Sequence, residues 1–325
     1  MPGKARPEEV TVLAFCRKIA PKMRKAFYRL SPSWPALWLV VSLLCLGDPA
    51  RANGPGPGSA ELLLARQTEL APQLADNQFH RPLVLESTES SSRLTGDIYA
   101  VVDYDFAVVN RALNDPAHWC DALILHLNIK YCHALTSEAG SVLVVSIGKK
   151  YDQPLSDAYR VDFSYRVAEA TATYFDVRLD AERGPMGTSD YRIQLEAVSV
   201  PSGKTFLHLA YSYGYGYLGH LAMQGYLFTT GRNKVGFTNV GTASSGQPDY
   251  IGGVRGMVER NTMRYYLAID AYLSALSLPP GEQLEKRLQE WFTSTEIYSR
   301  QLHELDRATY VDMKRHEYER QQQPL

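Results

Sequence analysis

Three stretches in the middle of the chain alternate between apolar and polar residues. Tyr159, Val161, Phe163, Tyr165 and Val167 alternate with Arg160, Asp162, Ser164 and Arg166. Phe175, Val177 and Leu179 alternate with Asp176, Arg178 and Asp180, and Tyr191, Ile193, Leu195 and Ala197 with Arg192, Gln194 and Glu196. Successive side chains of a strand point to opposite faces, so this period predicts an antiparallel sheet with one apolar face and one wet, mostly charged face. Pro201-Ser202-Gly203-Lys204 is a turn, and a further strand runs from Thr205 to about Tyr215. Gly96–Val102, Asn128–Leu135 and Ser141–Ile147 also have strand character, and Lys234–Asn239 is a candidate last strand.

Elsewhere the period lengthens to three and four. Val254, Val258, Thr262, Tyr265, Ile269, Tyr272 and Leu276 fall on one side of a helix that Gly252 and Gly253 open and Pro279 and Pro280 close. Arg255, Glu259, Arg260 and Arg264 occupy the other side, and Arg255 with Glu259 has the spacing of an ion pair on a solvated face. Leu284, Leu288, Trp291, Thr295, Tyr298, Leu302 and Leu305 form a second stripe. Thr293 with Glu296 is a candidate capping box that would split that stretch into two helices. The stripe either docks on the domain or joins a partner, and residues 282–318 are the candidate homodimer surface. Shorter helices are predicted over Glu61–Leu74, Asp105–Leu113, Trp119–Leu125 and Leu218–Phe228.

The beginning of the chain has a different character. Ala36–Gly47 is an apolar run of signal-peptide length, with Arg24, Lys25 and Arg29 ahead of it and Ala50-Arg51-Ala52 as a small-x-small cleavage site. This predicts residues 1–52 as a signal peptide, cleaved near Ala52, and a secreted or periplasmic mature protein. Counting from Met23 rather than Met1 gives the signal ordinary proportions. Residues 53–93 then read as a linker, Asn53–Ser59, and an N-terminal helix, and the regular domain as 94–278 with a helical extension over 279–325.

Cleavage changes the charge. The whole chain has 34 Lys and Arg against 35 Asp and Glu. Without residues 1–52, which hold nine of the former and three of the latter, 25 remain against 32, a net charge of −7. That acidity argues against a nucleic-acid partner. Two of the four cysteines leave with the signal, and the remaining pair, Cys120 and Cys132, reads as a disulfide in an oxidising compartment.

The chain supplies few signals of chemistry. Tyr211, Tyr213, Tyr215 and Tyr217 stand at period two and would line a pocket or pack the core. Gly214-Tyr215-Gly216-Tyr217-Leu218-Gly219 has the form G-x-G-x-x-G, but no parallel βαβ unit or later acid accompanies it, so no nucleotide cofactor is expected. His118, Cys120, His126, Cys132 and His133 are dense but fit no common zinc spacing, and no metal is expected. No G-x-S-x-G, H-E-x-x-H or P-loop occurs.

A strand, two short helices, about six antiparallel strands and a long C-terminal helix is the order of a helix-grip fold. Over roughly residues 94–278 the chain resembles the START / Bet v 1-like (SRPBCC) superfamily. The resemblance is carried mainly by the entry D-I-Y-A-V-V-D-Y-D-F-A-V-V-N-R-A-L-N-D-P-A-H-W, with its turn at Asn114-Asp115-Pro116 and Trp119. It implies an α+β domain in which a curved sheet and the long helix enclose a cavity for an apolar or lipid-like molecule, and it brings no universal catalytic residue. On this reading Trp119, Tyr211, Tyr213, Tyr215, Asn261, Tyr265 and Asp270 are the candidate ligand-binding residues. The leading expectation is a binding or carrier protein. The alternatives are a cyclase- or hydrolase-like enzyme using His208, His220 or Asp270 as acid or base, and an envelope interaction protein, in contact with a membrane or partner, acting through its C-terminal helices.

Overall fold

The alternating stretches form strands of one sheet. The computed structural model describes residues 60–217, 219, 221, 223, 225 and 233–323. The expected signal peptide and cleavage site, Asn53–Ser59 and His220 lie outside the described residues, as does part of the helix expected over Leu218–Phe228. In chain order the elements are α1 (Ala60–Ala75), β1 (Leu83–Glu89), β2 (Arg93–Val102), α2 (Phe106–Leu113), α3 (Pro116–Leu123), β3 (Ile129–Ser137) and β4 (Gly140–Ile147). There follow β5 (Tyr159–Ala170), β6 (Tyr174–Arg183), β7 (Thr188–Val200), β8 (Lys204–Tyr215), β9 (Asn239–Thr242) and β10 (Pro248–Tyr250). Four helices complete the set: α4 (Gly253–Ser274), α5 (Pro280–Ile297), α6 (Ser299–Leu302) and α7 (Arg307–Gln321).

The main sheet has eight strands in the order β1-β2-β8-β7-β6-β5-β4-β3, with every neighbouring pair antiparallel. It opens at Leu83, ahead of Leu94, because β1 pairs with β2 from Leu83↔Ala100 to Glu89↔Leu94. β9 and β10 make a separate small ribbon, and the expected strand Lys234–Asn239 is irregular up to its last residue. The architecture is α+β and helix-grip: the apolar face of the sheet, with α2 and α3 at its entry, surrounds the long helix α4.

Helix α4 lies close to the sheet where side chains are smallest. A Cβ on Gly96 of β2 would collide with the Thr262 hydroxyl, so glycine there lets the helix approach. Thr262 is buried and donates its Oγ1 hydrogen to the carbonyl of Val258, 2.8 Å away. The side expected to be solvated is covered as well. Glu259, Arg260 and Arg264 are 0%, 2% and 2% exposed, because residues 233–238 and the C-terminal helices pack over them.

The C-terminal stripe docks inward. Leu288, Trp291, Thr295 and Leu302 are buried, and Trp291 Nε1 donates to the carbonyl of Arg264 at 3.2 Å. The helix does not break at Thr293, whose Oγ1 donates to the Gln289 carbonyl within α5. The break falls at Tyr298, where φ is −111° and ψ 43°. Asp306 is the true cap, accepting the Thr309 N–H at 3.0 Å to start α7.

The polar face of the sheet is only partly wet, because α1 packs Leu63, Leu70 and Leu74 onto Val198, Val200 and Phe206. Cys120 of α3 and Cys132 of β3 are buried and bonded to each other. Closing so short a loop stabilises the fold by about 3 kcal/mol in the chain-entropy account. A Cys120→Ala/Cys132→Ala variant should lose about that much in urea unfolding. Two reactive thiols in the denatured, non-reduced protein would contradict the bond.

Candidate functional site

The strand period decides which residues share a face. Tyr211, Tyr213 and Tyr215 of β8 are buried on the side that faces α4, while Tyr217, beyond the strand end, is 77% exposed. Tyr191 enters beside them from β7 and Tyr265 from α4. Tyr191 stacks on Tyr213 with ring centres 5.2 Å apart, Tyr211 lies 5.6 Å from Tyr213, and Tyr265 lies 5.1 Å from Tyr211. His126, just past α3, stacks on the ring of Tyr265 at 4.6 Å.

Several of these hydroxyls are satisfied. Tyr191 shares a hydrogen bond with Thr188, and Tyr215 donates to the Ser90 carbonyl at 2.7 Å. The hydroxyls of Tyr211 and Tyr265 have no hydrogen-bond partner among the described residues. Burial pushes the pKa of Tyr211, Tyr213 and Tyr265 upward and holds Tyr191 at about 12, so all four are neutral hydrogen-bonding groups at physiological pH.

Two spaces adjoin the row. One is a small void of about 10 Å³ bordered by Trp119, Leu123, Ile193, Leu209, Tyr265 and Ile269, no larger than a single water. Trp119 forms one wall and is fixed by Nε1 donating to the Leu113 carbonyl at 2.8 Å. The other is an open cleft of about 540 Å³ where Tyr215 meets Glu89, Ser90 and Ser91 of the β1–β2 turn, Ile251, and Arg255 of α4. Tyr211 to Tyr215 spans about 13 Å of extended strand, so the row runs from the interior to the floor of that cleft.

The expected ligand-binding residues divide accordingly. Trp119, Tyr211, Tyr213, Tyr215 and Tyr265 come together. Asn261 sits one turn ahead of Tyr265 on α4, partly exposed, with no side-chain hydrogen bond among the described residues. Asp270 is elsewhere: its carboxylate is ion-paired with Arg81 at 2.7 Å, and the Arg81 guanidinium lies over the Tyr266 ring. It is held by the loop after α1 and is not a group aimed at a ligand in the interior.

His208 is likewise separated from the tyrosines, since an even position on β8 projects to the opposite face. There its Nε2 meets Asp97 at 2.9 Å and its Nδ1 meets Glu196 at 3.1 Å, while Tyr99 stacks on the ring at 4.3 Å. Burial opposes the charged ring, but the two carboxylates outweigh it and raise the pKa from 6.5 to about 9. A protonated, doubly paired imidazole is no general base at neutral pH, and on the opposite face of the sheet His208 is not among the tyrosines of the interior. Of the dense His/Cys group, the two cysteines are tied up in their disulfide. Among the described residues no three His, Cys, Asp or Glu side chains gather as a metal site.

Sequence reasoning missed the cleft, because its lining comes from two turns and a helix end with no period in common. It also missed the separation of His208, for which the signal was present: position 208 is out of phase with 211, 213 and 215.

No protein-family model matches the chain, and no curated protein matches it. Solved structures with a likeness include norcoclaurine synthase from Thalictrum flavum, at 12% identity and a TM-score of 0.31 over 43% of this chain and 80% of that one. Ara h 8.0201 has 12% identity and a TM-score of 0.33 over 57% and 99%. Human StAR-related lipid transfer protein 5 has 10% and 0.29 over 52% and 88%. These are Bet v 1-like and START-type folds, the superfamily that the sequence pattern resembles. At these scores they carry no conclusion about activity, and the helix-grip assignment stands on this chain's own strand order and long helix.

The His208 pairing has a definite pH signature. Because its folded pKa lies above the unfolded value, the contribution is complete below pH 6.5 and is lost as the pH rises through 9. The stability difference between wild type and His208→Gln in urea unfolding should shrink by on the order of 3 kcal/mol across that interval. The difference is the right quantity because Lys150 and Lys314, lowered to about 8 by burial, push the whole-protein curve the other way. A difference that stays constant from pH 6.5 to 9 would contradict the assignment.

Proposed function

We propose that this chain is an exported protein that binds or carries an apolar, lipid-like ligand between the concave face of the sheet and α4. The observation that carries the reading is the row of buried tyrosines that leads from the interior to an open cleft at the β1–β2 turn. Two of the hydroxyls in that interior, those of Tyr211 and Tyr265, are without a hydrogen-bond partner among the described residues. Hydroxyls left without a protein partner beside an apolar interior are free to hydrogen-bond a ligand.

The interior void is far below the several hundred Å³ that a lipid-sized molecule needs. Uptake therefore requires the tyrosines, Trp119 and α4 to move apart, with the cleft as the point of entry. The buried disulfide between Cys120 and Cys132 fits export to an oxidising compartment after cleavage near Ala52.

The closed interior is also what a protein acting only through its surface would have. Against that second reading, the apolar stripe that a partner helix would have used faces inward, with Trp291 and Leu302 each 2% exposed. A membrane, an envelope protein or a second copy meeting residues 282–318 would have to use their outer side, where Ile297 is exposed.

Titration with an uncharged apolar fluorophore such as N-phenyl-1-naphthylamine should saturate at one site per chain. Ser91 is exposed at the cleft, so Ser91→Trp should obstruct entry, weakening binding by about tenfold or more without a change in melting temperature. Absence of saturable binding by folded protein, or a Ser91→Trp variant that binds like the wild type, would count against the reading.

A further inference from the structure

His126 is the most unusual polar group next to the tyrosine row. It is 2% exposed, and its Nε2 has no hydrogen-bond partner. Its tautomer is fixed by the chain, because the backbone N–H of Asn128 donates to Nδ1 at 3.1 Å. The proton of the neutral ring must therefore sit on Nε2, which makes that atom a buried donor with no acceptor.

The ring is also kept neutral. Burial, reinforced by Arg264, Lys314, Lys150 and Lys130, holds its pKa well below the usual histidine value. These cations are placed by contacts of their own. Lys314 Nζ donates to the His126 carbonyl at 2.6 Å and shares Glu317 with Lys130, at 2.7 and 2.8 Å. Arg264 precedes Tyr265, on which His126 stacks, and shares Glu304 with Lys150 at 2.8 and 2.6 Å. The charges that act most strongly on the ring are all positive, although Glu304 and Glu317 pair with them and Asp152 acts on Lys130. An unused donor in a positive field suits an oxygen that carries negative charge better than it suits a neutral acceptor.

We propose that the ligand has an anionic head, a carboxylate whose oxygen accepts the Nε2 hydrogen of His126, with its apolar tail running along Tyr211 and Tyr213 toward the cleft. This rests on the ligand-binding reading above and adds the chemical class of the ligand to it. A single free donor favours a carboxylate over a group that demands several donors. A ligand with a cationic head would meet both the wrong hydrogen-bonding sense and the wrong field.

Matched ten-carbon probes separate the two claims. At pH 7.5, decanoate should bind at least about tenfold more tightly than decan-1-ol, roughly the effect of one charge-assisted hydrogen bond. Decylamine should be the weakest of the three. In His126→Phe, which keeps an aromatic ring against Tyr265, the preference for decanoate should vanish while decan-1-ol binding is unchanged. Because that variant also takes an acceptor from Asn128, a wild-type measurement accompanies it: the Nε2 nitrogen resonance of His126 should shift with decanoate and not with decan-1-ol. Equal affinity of acid and alcohol, a preference that persists in a folded His126→Phe protein, or a resonance that ignores decanoate would overturn the carboxylate site and leave the apolar-ligand reading in place. Binding of none of the probes would overturn both.

Discussion

The structure depends on one buried carboxylate. Glu259 lies in the second turn of α4 with no exposed surface, and its oxygens accept hydrogen bonds from four groups. These are Ser87 Oγ of β1 at 2.5 Å, the Phe237 N–H at 2.6 Å, the Thr238 N–H at 2.9 Å and Thr238 Oγ1 at 2.6 Å. A carboxylate taken from water costs several kcal/mol unless such donors replace its hydration, so the node forms complete or not at all. It joins the first strand, the segment that follows the tyrosine row, and the long helix. Arg255 adds to it by donating to Ser87 Oγ at 2.8 Å, and Arg255 also borders the cleft. Glycines make room for it: a Cβ on Gly236 would strike the Glu259 carboxylate, and a Cβ on Gly256 would stand 2.7 Å from the Ile251 carbonyl.

The far end of the molecule uses the same device. Lys130 of β3 and Lys314 of α7 both reach Glu317, and all three side chains are at most 1% exposed. Lys314 also donates to the carbonyls of His126 and Ile129, which closes the C-terminal helix over the bend that carries His126. Burial lowers the pKa of both lysines, as expected for cations held in a medium that solvates them poorly. The apolar interior is thus enclosed by polar fastenings at both ends of the helix-grip, with the cleft at Ser90 and Ser91 beside the first of them. Opening the interior by way of that cleft would strain the Glu259 node before it strained the apolar packing behind it.

Much of this was legible in the sequence and some of it could not have been. The strands β5 to β8 were readable because a half-buried sheet imposes period two, and residues such as Val161, Val177 and Leu195 keep to it. The Cys120–Cys132 pairing followed from the even pair left once the expected signal segment is set aside. Glu259, Arg260 and Arg264 were misread because charges at helical spacing look alike whether they meet solvent or another element. Only the fold brings Ser87 and Thr238 to Glu259, or Leu302 and Glu304 to Arg264. Asp270 was misplaced for a similar reason, its partner Arg81 being far away in sequence. β1 lacked a clear period, Leu83-Val84-Leu85 being continuous, and it is fixed in the sheet by pairing with β2. The donor of His126 was invisible for the same cause, since its tautomer depends on a backbone amide two residues on.

The central claim is that this chain encloses an apolar small molecule between its sheet and α4. Native mass spectrometry, with organic extraction, of protein purified from its natural source tests it most directly. The account predicts a stoichiometric adduct of one small molecule per chain, recovered in the organic phase and lost when the protein unfolds. A folded protein whose native mass is that of the polypeptide alone, with an empty extract, would contradict it.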